Sequence, residues 1–259
     1  MKKLFFALVS LSLIGSILYP LHALALTSLA FFIIKFLHND ELDFKILFKF
    51  DDNGVHDHPF IKNKTQTMTA KQKQHISIHE SGHLLVLWFS PEIKFNECEV
   101  AIHNPAKGEG PKGSTLERDI TELHDEDYML AKIAVSYGAH LLEKKYNTKL
   151  HDGHVTDLGY ATNIANEMVT QLGMSPHFPL INLLAINHKF LSPEMKQNIQ
   201  KAILEMLEIG RKKAEKIIDE KSELAKHLIQ ALLDQPLSKP LTMSEIQKIL
   251  GPRPLKPIY

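Results

Sequence analysis

The sequence lacks, or has few of, several features that would directly indicate a class of function. Its 259 residues include one cysteine, Cys98, so no disulfide can form within the chain. The 30 basic and 30 acidic side chains balance to a formal net charge of zero, which gives no reason to expect nucleic acid as a partner. There is no internal repeat and no low-complexity segment. With 44% hydrophobic and 23% charged residues, the composition is that of a globular domain of ordinary size.

The sequence also has no nucleotide-binding P-loop. Gly108 and Gly113 have the spacing of the two P-loop glycines, but Ser114 and Thr115 follow where that motif has lysine and then serine or threonine. The P-loop lysine reaches the β- and γ-phosphates, and without it this stretch is better explained as a flexible surface turn. We therefore expect no use of ATP by this polypeptide.

One motif carries specific chemistry: His79-Glu80-Ser81-Gly82-His83, which has the form H-E-x-x-H. Two histidines four residues apart lie on the same face of a helix, so both imidazoles can bind one zinc ion. Glu80 then lies beside the metal, where its carboxylate can accept a proton from a zinc-bound water. The motif predicts a hydrolytic centre. The alternative is a buried helix whose two histidines are simply hydrogen bonded.

The neighbouring residues predict the helix that the motif needs. Thr69 and Gln72 have the spacing of a capping box, and Pro91 disfavours helical geometry at the residue before it. The residues from 84 to 89 are strongly apolar, as expected of a helix buried behind an active site. Gly82 costs about 1 kcal/mol of helix propensity relative to alanine. A glycine there is explained if another backbone or a substrate approaches closely.

The motif alone does not supply a third metal ligand. The metzincin extension is absent, because Val86 and Phe89 occupy its glycine and histidine positions. Glu97 and Glu99 are nearby, but they belong to an alternating stretch that predicts a half-buried strand with Cys98 on its apolar side. We expect both glutamates to face solvent.

A second motif begins at Asp157 and reads D-L-x-x-A-T-x-I-A-x-x-M-V-x-x-x-G-M-S. With H-E-x-G-H before it in the same order, the chain resembles the protease domain of the FtsH family of membrane zinc proteases. The segment 129–146 also looks like the helix that the family places between these motifs, and the resemblance runs from about Thr69 to Leu250. The matching positions of the second motif are Asp157, Leu158, Ala161, Thr162, Ile164, Ala165, Met168, Val169, Gly173, Met174 and Ser175.

The resemblance implies Zn2+ as cofactor, with His79, His83 and Asp157 as its ligands and Glu80 as the catalytic base. It also places a substrate-binding edge strand near residues 114–118. A helical apolar stripe from residue 158 to 172, closed by Gly173, puts Asp157 in the first turn of a helix, where a carboxylate is favourable. A first-turn acid without a metal is the other interpretation of Asp157.

Some positions depart from the family pattern. The family's small G-G-R-A-A stretch is Gly138-Ala-His-Leu-Leu142 here, so His140 adds a polar group near the site. Val155 and Thr156 precede the ligand aspartate in place of the family's Ser/Ala-Asn. None of these positions is a metal ligand. They bear on substrate preference and on packing within an oligomer.

The N-terminus is the second clear signal. Residues Leu4–Leu37 are almost continuously apolar, a run longer than the roughly 30 Å of a bilayer's hydrocarbon core requires. It fits one extended anchor, two short spans that turn near Pro20, or a secretory signal cleaved after Ala25. We favour attachment to a membrane, of the bacterial inner-membrane type. One span would export the following domain and two would leave it cytoplasmic, so the side of the membrane stays open.

These patterns predict three regions and a mainly α fold with a small β-sheet (α+β). The regions are a hydrophobic anchor at 1–37, a linker at 38–68 with a short strand, and an FtsH-like zinc peptidase domain at 69–259. In the linker, residues 56–58 (His-Asp-His) are better explained as a solvated loop than as a metal site. In the last region Ser192 and Pro193 start a helix whose apolar face runs up to Gly210, Ser222 caps the next helix, and Thr242 begins a capping box.

The function predicted from the sequence is a membrane-anchored zinc metalloendopeptidase that cleaves unfolded or flexible polypeptides without an ATPase domain of its own. The resemblance also suggests a homo-oligomer and a separate AAA ATPase partner. Two alternatives differ in class: a catalytically silent adaptor of a full-length FtsH-type protease, and a metal-binding sensor that holds zinc without turnover.

Overall fold

The computed structural model describes residues 68–104, 112–148, 152–186 and 191–255. The predicted anchor at 1–37, nearly all of the predicted linker and most of the turn around Gly108 lie outside these ranges, so those predictions stay predictions. None of the helices within the described ranges combines the length and the apolar character needed to cross a membrane.

The described residues form a mainly helical domain with two small antiparallel sheets, which agrees with the predicted α+β class. Two short 3-10 turns, Asp152–His154 and Leu183–Ala185, complete it. In chain order the elements are α1 (Ala70–Trp88), β1 (Phe95–His103), β2 (Lys112–Asp119), α2 (Glu126–Lys145), α3 (Val155–Thr170), β3 (Met174–Ser175), β4 (Phe178–Pro179), α4 (Pro193–Glu220), α5 (Ser222–Asp234), β5 (Leu241–Thr242) and α6 (Met243–Leu250).

Helix α1 lies at the centre of the domain. It packs against α2, α4 and α5 and against the sheet, and the five side chains from Leu84 to Trp88 have no solvent exposure at all. A helix that is apolar on every side in its second half is stable only when other elements surround it. The predicted capping box of Thr69 and Gln72 is present at its start. The half that contains the H-E-x-x-H motif is therefore held rigidly by its buried continuation.

Helices α1 and α2 cross at two glycines. A Cβ atom on Gly82 would lie 2.4 Å from the carbonyl oxygen of Gly138, and one on Gly138 would lie 2.4 Å from that of Gly82. No side chain fits at either position without separating the helices, so the expectation that another backbone approaches Gly82 is confirmed. This close crossing brings the middle and the end of α2 beside the two histidines of α1.

The larger sheet has the order β2-β1-β5, with both pairs antiparallel. Strand β1 is the middle strand; Cys98 is buried and Glu97 and Glu99 are exposed, as the alternating pattern predicted. Strand β2 lies at the edge, and no strand within the described ranges pairs with its outer side. An edge strand therefore runs beside α1 at the residues where the resemblance placed one.

One helix is longer than its predicted apolar face, and one cap prediction needs correction. Helix α4 has Ser192 as its N-cap and Pro193 as its first residue, as predicted, and it extends past Gly210 to Glu220. Gly210 is needed for packing, because a Cβ there would lie 2.4 Å from Cγ2 of Ile133 on α2. Ser222 is the first residue of α5 and makes no capping hydrogen bond, while Lys221 occupies the N-cap position.

The apolar stripe of α3 is shorter than predicted. Its inner residues, such as Ala161 and Met168, are fully buried, but Leu158 and Leu172 are exposed. The helix ends with Gln171 as its C-cap, and Gly173 follows two residues later with a φ of +62°. Gly173 had been expected directly after the C-cap. It is instead the second residue after the cap, and there it adopts the left-handed conformation that glycine favours.

Candidate metal centre

Helix α1 places the two motif histidines on one face. The Nε2 atoms of His79 and His83 lie 3.2 Å apart. The Nδ1 atom of His79 donates to Oε1 of Glu143, and that of His83 donates to the carbonyl oxygen of Val135, both at 2.8 Å. Because Nδ1 donates in each ring, Nε2 is the nitrogen that is directed into the site and that can bind a metal ion once it has lost its own proton. Helix α2 supplies both of these supporting oxygen atoms.

Helix α3 adds a third donor to this pair. Asp157 is the third residue of α3, and its Oδ2 atom lies 3.4 Å from Nε2 of His79 and 3.2 Å from Nε2 of His83. Ligands about 2.0–2.1 Å from a tetrahedral zinc ion are separated from one another by about 3.3 Å. The three atoms therefore form a triangle of the size that a zinc site needs. The Oδ2 atom is also buried, with the two histidine nitrogens as its near neighbours.

The ionisation of these groups reflects their proximity. Burial by itself would lower the pKa of His79, but the carboxylates of Asp157 and Glu143 outweigh it and raise the pKa to about 10. Burial would raise the pKa of Asp157, but the neighbouring histidines outweigh it and hold the pKa well below the ordinary range of a carboxyl. The carboxylates therefore remain anionic, the form that binds a cation. Protons and a metal ion compete for the same histidine nitrogens.

Glu80 lies beside this triangle and outside it. Its side chain is almost fully buried, and Oγ1 of Thr115 on β2 donates to its Oε2 at 2.8 Å. Gly113, two residues earlier on the same strand, leaves space for it, because a Cβ there would lie 2.4 Å from Cγ and 2.6 Å from Oε1 of Glu80. The edge strand thus holds this carboxylate in one position next to the three donor atoms.

All four predicted site residues line one cleft. It has a volume of about 350 Å³ and lies between α1, β2, α2 and α3. Beyond the metal-donor atoms its walls include Glu117 of β2, Lys132 of α2 and Tyr160 of α3. The cleft is therefore lined largely by polar side chains. Glu97 and Glu99, considered from the sequence, take no part in it.

The structure also reveals two supporting residues that sequence reasoning missed. The carboxylate of Glu143, which is 2% exposed, accepts from Nδ1 of His79 and from Nε2 of the buried His154, both at 2.8 Å. The sequence did offer one signal for Glu143, because this residue falls within the segment that resembles the family's middle helix. His154 had no signal beyond its place three residues before Asp157, and its ring packs against that of His140.

His79, Glu143 and His154 offer a second set of donor atoms within 4.8 Å of one another. A metal ion bound there would need the Nδ1 atom of His79, which already donates to Glu143. It would also displace the two hydrogen bonds that the Glu143 carboxylate accepts from His79 and His154. A carboxylate that orients a metal-binding histidine through its other ring nitrogen explains the same distances without any rearrangement. We therefore assign Glu143 and His154 to the support of His79.

Comparison with known proteins is consistent with this geometry. A family model described as Peptidase family M41 matches residues 66–249. The "ATP-dependent zinc metalloprotease FtsH 2" of Phytoplasma mali is 27% identical over 188 residues, which are 73% of this chain and 27% of that protein. The "ATP-dependent zinc metalloprotease FtsH" of Hahella chejuensis is 27% identical over 201 residues, 72% of this chain and 31% of that protein.

A eukaryotic relative shows a similar relationship. The "Mitochondrial inner membrane m-AAA protease component YTA10" of Saccharomyces cerevisiae is 23% identical over 211 residues, which are 76% of this chain and 26% of that protein. The chain thus spans about a quarter to a third of the length of these relatives.

Proposed function

The chain belongs to peptidase family M41, and on that premise we propose that it is a zinc metalloendopeptidase. Zinc is the cofactor that membership of this family implies. We assign its binding to His79, His83 and Asp157 and the role of general base to Glu80. The observation that carries the assignment is the triangle of 3.2, 3.2 and 3.4 Å formed by three metal-donor atoms beside a buried carboxylate.

When bound, zinc supplies a Lewis acid that polarises the scissile carbonyl and lowers the pKa of the attacking water. Glu80 accepts the proton of that water and later delivers it to the leaving amine. Thr115 fixes one oxygen of the Glu80 carboxylate by its hydrogen bond, so that the other oxygen is available for the proton. Glu143 and Val135 keep the two histidine rings turned towards the metal.

The proposed substrates are unfolded or flexible polypeptides. The cleft is bordered by β2, whose outer edge has backbone groups that an extended peptide can pair with. A peptide can add to a sheet edge in this way only when its own backbone is not already paired within a folded structure. Folded substrates therefore require a separate unfolding activity, and a AAA ATPase is the partner that we propose for them.

Further proposals concern the whole protein. We propose that residues 1–37 attach the peptidase domain, from residue 69 onwards, to a membrane of the bacterial inner-membrane type. One relative carries the words "mitochondrial inner membrane" in its name, which supports a membrane setting. Assembly into a homo-oligomer is proposed on the same family grounds.

The decisive experiment is the replacement Glu80→Gln in the full chain, purified in detergent. The variant keeps the size and a hydrogen-bonding group but cannot accept the proton. We expect about one zinc ion per chain and a fall in cleavage of an unstructured peptide by roughly 100- to 10,000-fold. Metal content and cleavage are measured on the same preparation. The matched control is Glu97→Gln, an exposed glutamate on β1, which should leave both quantities unchanged.

Two outcomes would contradict the proposal in different ways. Cleavage by Glu80→Gln at near the parent rate would show that another group acts as the base. A parent protein that binds zinc yet cleaves no peptide would instead support the catalytically silent adaptor.

A further inference from the structure

One face of the edge strand β2 is directed at the cleft. Gly113 lies against the side chain of Glu80, Thr115 donates to its carboxylate, and Glu117 pairs with Lys132 of α2. These strand residues are spaced two apart, so their side chains lie on the same face at intervals of about 7 Å. Glu117 and its partner Lys132 therefore lie about 7 Å further along the cleft than Thr115, the strand residue that contacts the proposed base Glu80.

The Lys132–Glu117 ion pair is unusual for its burial. Nζ of Lys132 lies 2.7 Å from Oε1 of Glu117, and the side chains are only 14% and 17% exposed. The Lys226–Glu223 pair on α5 has the same 2.7 Å separation, but its side chains are 58% and 74% exposed. Both members of the first pair line the cleft that contains the metal-donor atoms. A ligand in the cleft would remove much of the remaining water from this pair.

The chemistry of the pair determines which ligand side chain it can accept. An apolar side chain would bury two charged groups without replacing their hydrogen bonds to water, which is costly. A charged side chain would be attracted by one member of the pair and repelled by the other. A carboxamide offers an oxygen that accepts from the Lys132 ammonium and an NH2 that donates to the Glu117 carboxylate. It satisfies both groups at once.

We infer that Lys132 and Glu117 form a polar subsite that selects substrates with a glutamine or asparagine side chain at one position near the scissile bond. The inference rests on the proposed peptidase function, because it names a substrate class for the same cleft. It assigns a role to two residues that neither bind the metal nor take part in proton transfer.

The test is a positional scan with unstructured peptides in which each residue in turn is glutamine or methionine, two side chains of similar length. Binding to the zinc-loaded Glu80→Gln protein is measured by fluorescence anisotropy, so that no turnover is needed. We expect the glutamine peptide to bind at least about tenfold more tightly at one position, since a site that hydrogen bonds a ligand group discriminates against ligands that lack it. Cleavage by the parent protein, measured on the same peptides, should show the same preference.

Three double variants in the Glu80→Gln background complete the test. Lys132→Met with Glu117→Leu makes the subsite apolar and should abolish or reverse the preference. Lys132→Gln with Glu117→Gln keeps donors and acceptors and should retain it, which covers the case in which the apolar variant does not fold. Lys226→Met with Glu223→Leu alters the exposed pair on α5 and should change nothing.

The outcomes separate this inference from the proposed function. Equal binding of glutamine and methionine peptides at every position overturns the inference, and so does an unchanged preference in the folded apolar variant. Cleavage by the parent without a glutamine preference overturns the inference and leaves the peptidase function intact. An absence of cleavage overturns the peptidase function, while the binding measurement still decides whether the subsite exists.

Discussion

At the scale of single residues, the candidate centre depends on groups that lie outside the H-E-x-x-H motif. Asp157 completes the triangle of donor atoms, and Glu143 holds His79 in the orientation that directs its Nε2 atom into that triangle. Gly113 contributes by having no side chain, because the carboxylate of Glu80 occupies the space that a Cβ would need. The position of the proposed base is thus decided by a residue on a different element.

Gly113→Ala is a sharp test at this scale. The added methyl group would lie under 3 Å from three atoms of the Glu80 side chain, which is flexible and must move. We expect cleavage to fall by roughly 100-fold, the effect of misplacing a catalytic group by about 1 Å. Zinc content should be unchanged, and the free energy of unfolding should change by less than about 1 kcal/mol.

The control for Gly113→Ala is Arg118→Ala, on the opposite, exposed side of β2, which should cleave normally. A Gly113→Ala protein with parental cleavage would show that Glu80 does not need its observed position.

At the scale of elements, α2 is the scaffold of the site. It meets α1 at the Gly82–Gly138 crossing and packs against α3 and α4. The contact with α4 uses Gly210, which lies against the fully buried Ile133. Through these contacts α2 fixes the separation of α1 and α3, and therefore of the three donor atoms. Small residues at helix crossings allow this close approach, at some cost in helix propensity.

The variants Gly210→Ala and Gly159→Ala form a matched pair that tests the packing of α4 against α2. Both glycines lie within helices, so alanine should add up to about 1 kcal/mol of helix propensity at each. At Gly159 the new methyl meets no atom within 4 Å, so we expect the free energy of unfolding to rise by roughly that amount. At Gly210 the methyl would lie 2.4 Å from Ile133, so overpacking should instead lower the free energy of unfolding by about 1–3 kcal/mol.

Denaturant unfolding followed by circular dichroism measures both variants. Equal stabilisation by the two alanines would show that the contact between α4 and α2 accommodates the added methyl group at little cost in stability.

At the scale of the whole molecule, the proposed zinc ion links parts of the domain that are distant in sequence. His79 and His83 belong to α1 and Asp157 belongs to α3, and both helices pack on α2. The two partly buried imidazoles face the Asp157 carboxylate, and each of them is attracted to it. A metal ion bound to the folded state and not to the unfolded chain stabilises the fold by mass action.

Removal of zinc should therefore lower the thermal midpoint of the peptidase domain. We expect a chelator to shift the midpoint of the parent downwards by several degrees, because a ligand at about 100 times its Kd contributes about 2.7 kcal/mol. The His83→Ala variant should lack stoichiometric zinc and show no shift with chelator. Scanning calorimetry with metal analysis of each sample measures both effects. An unchanged midpoint in a parent sample shown to have lost its zinc would contradict a metal site that joins α1 to α3.

The features that the sequence determined are those in which the interacting residues are close along the chain. The spacing of His79 and His83, the capping box at Thr69 and the alternation around Cys98 each depend on neighbours within about four residues, and the structure has all three. The two motifs were also sufficient to indicate the family. That the helix of Asp157 lies beside α1 was expected from the resemblance, since nothing local specifies it.

Only the tertiary structure decided which distant residues other than these meet. The pairing of Glu143 with His79 and His154, the contact of Gly113 with Glu80 and the continuation of α4 through Gly210 all join separate elements. From the sequence alone, a glycine predicts a helix end or a turn, because it adopts backbone conformations that other residues rarely adopt. Packing overrides that preference where two backbones or a buried side chain need the space. The support of the proposed metal ligands and the shape of the cleft arise from such contacts between elements, which no short-range sequence pattern encodes.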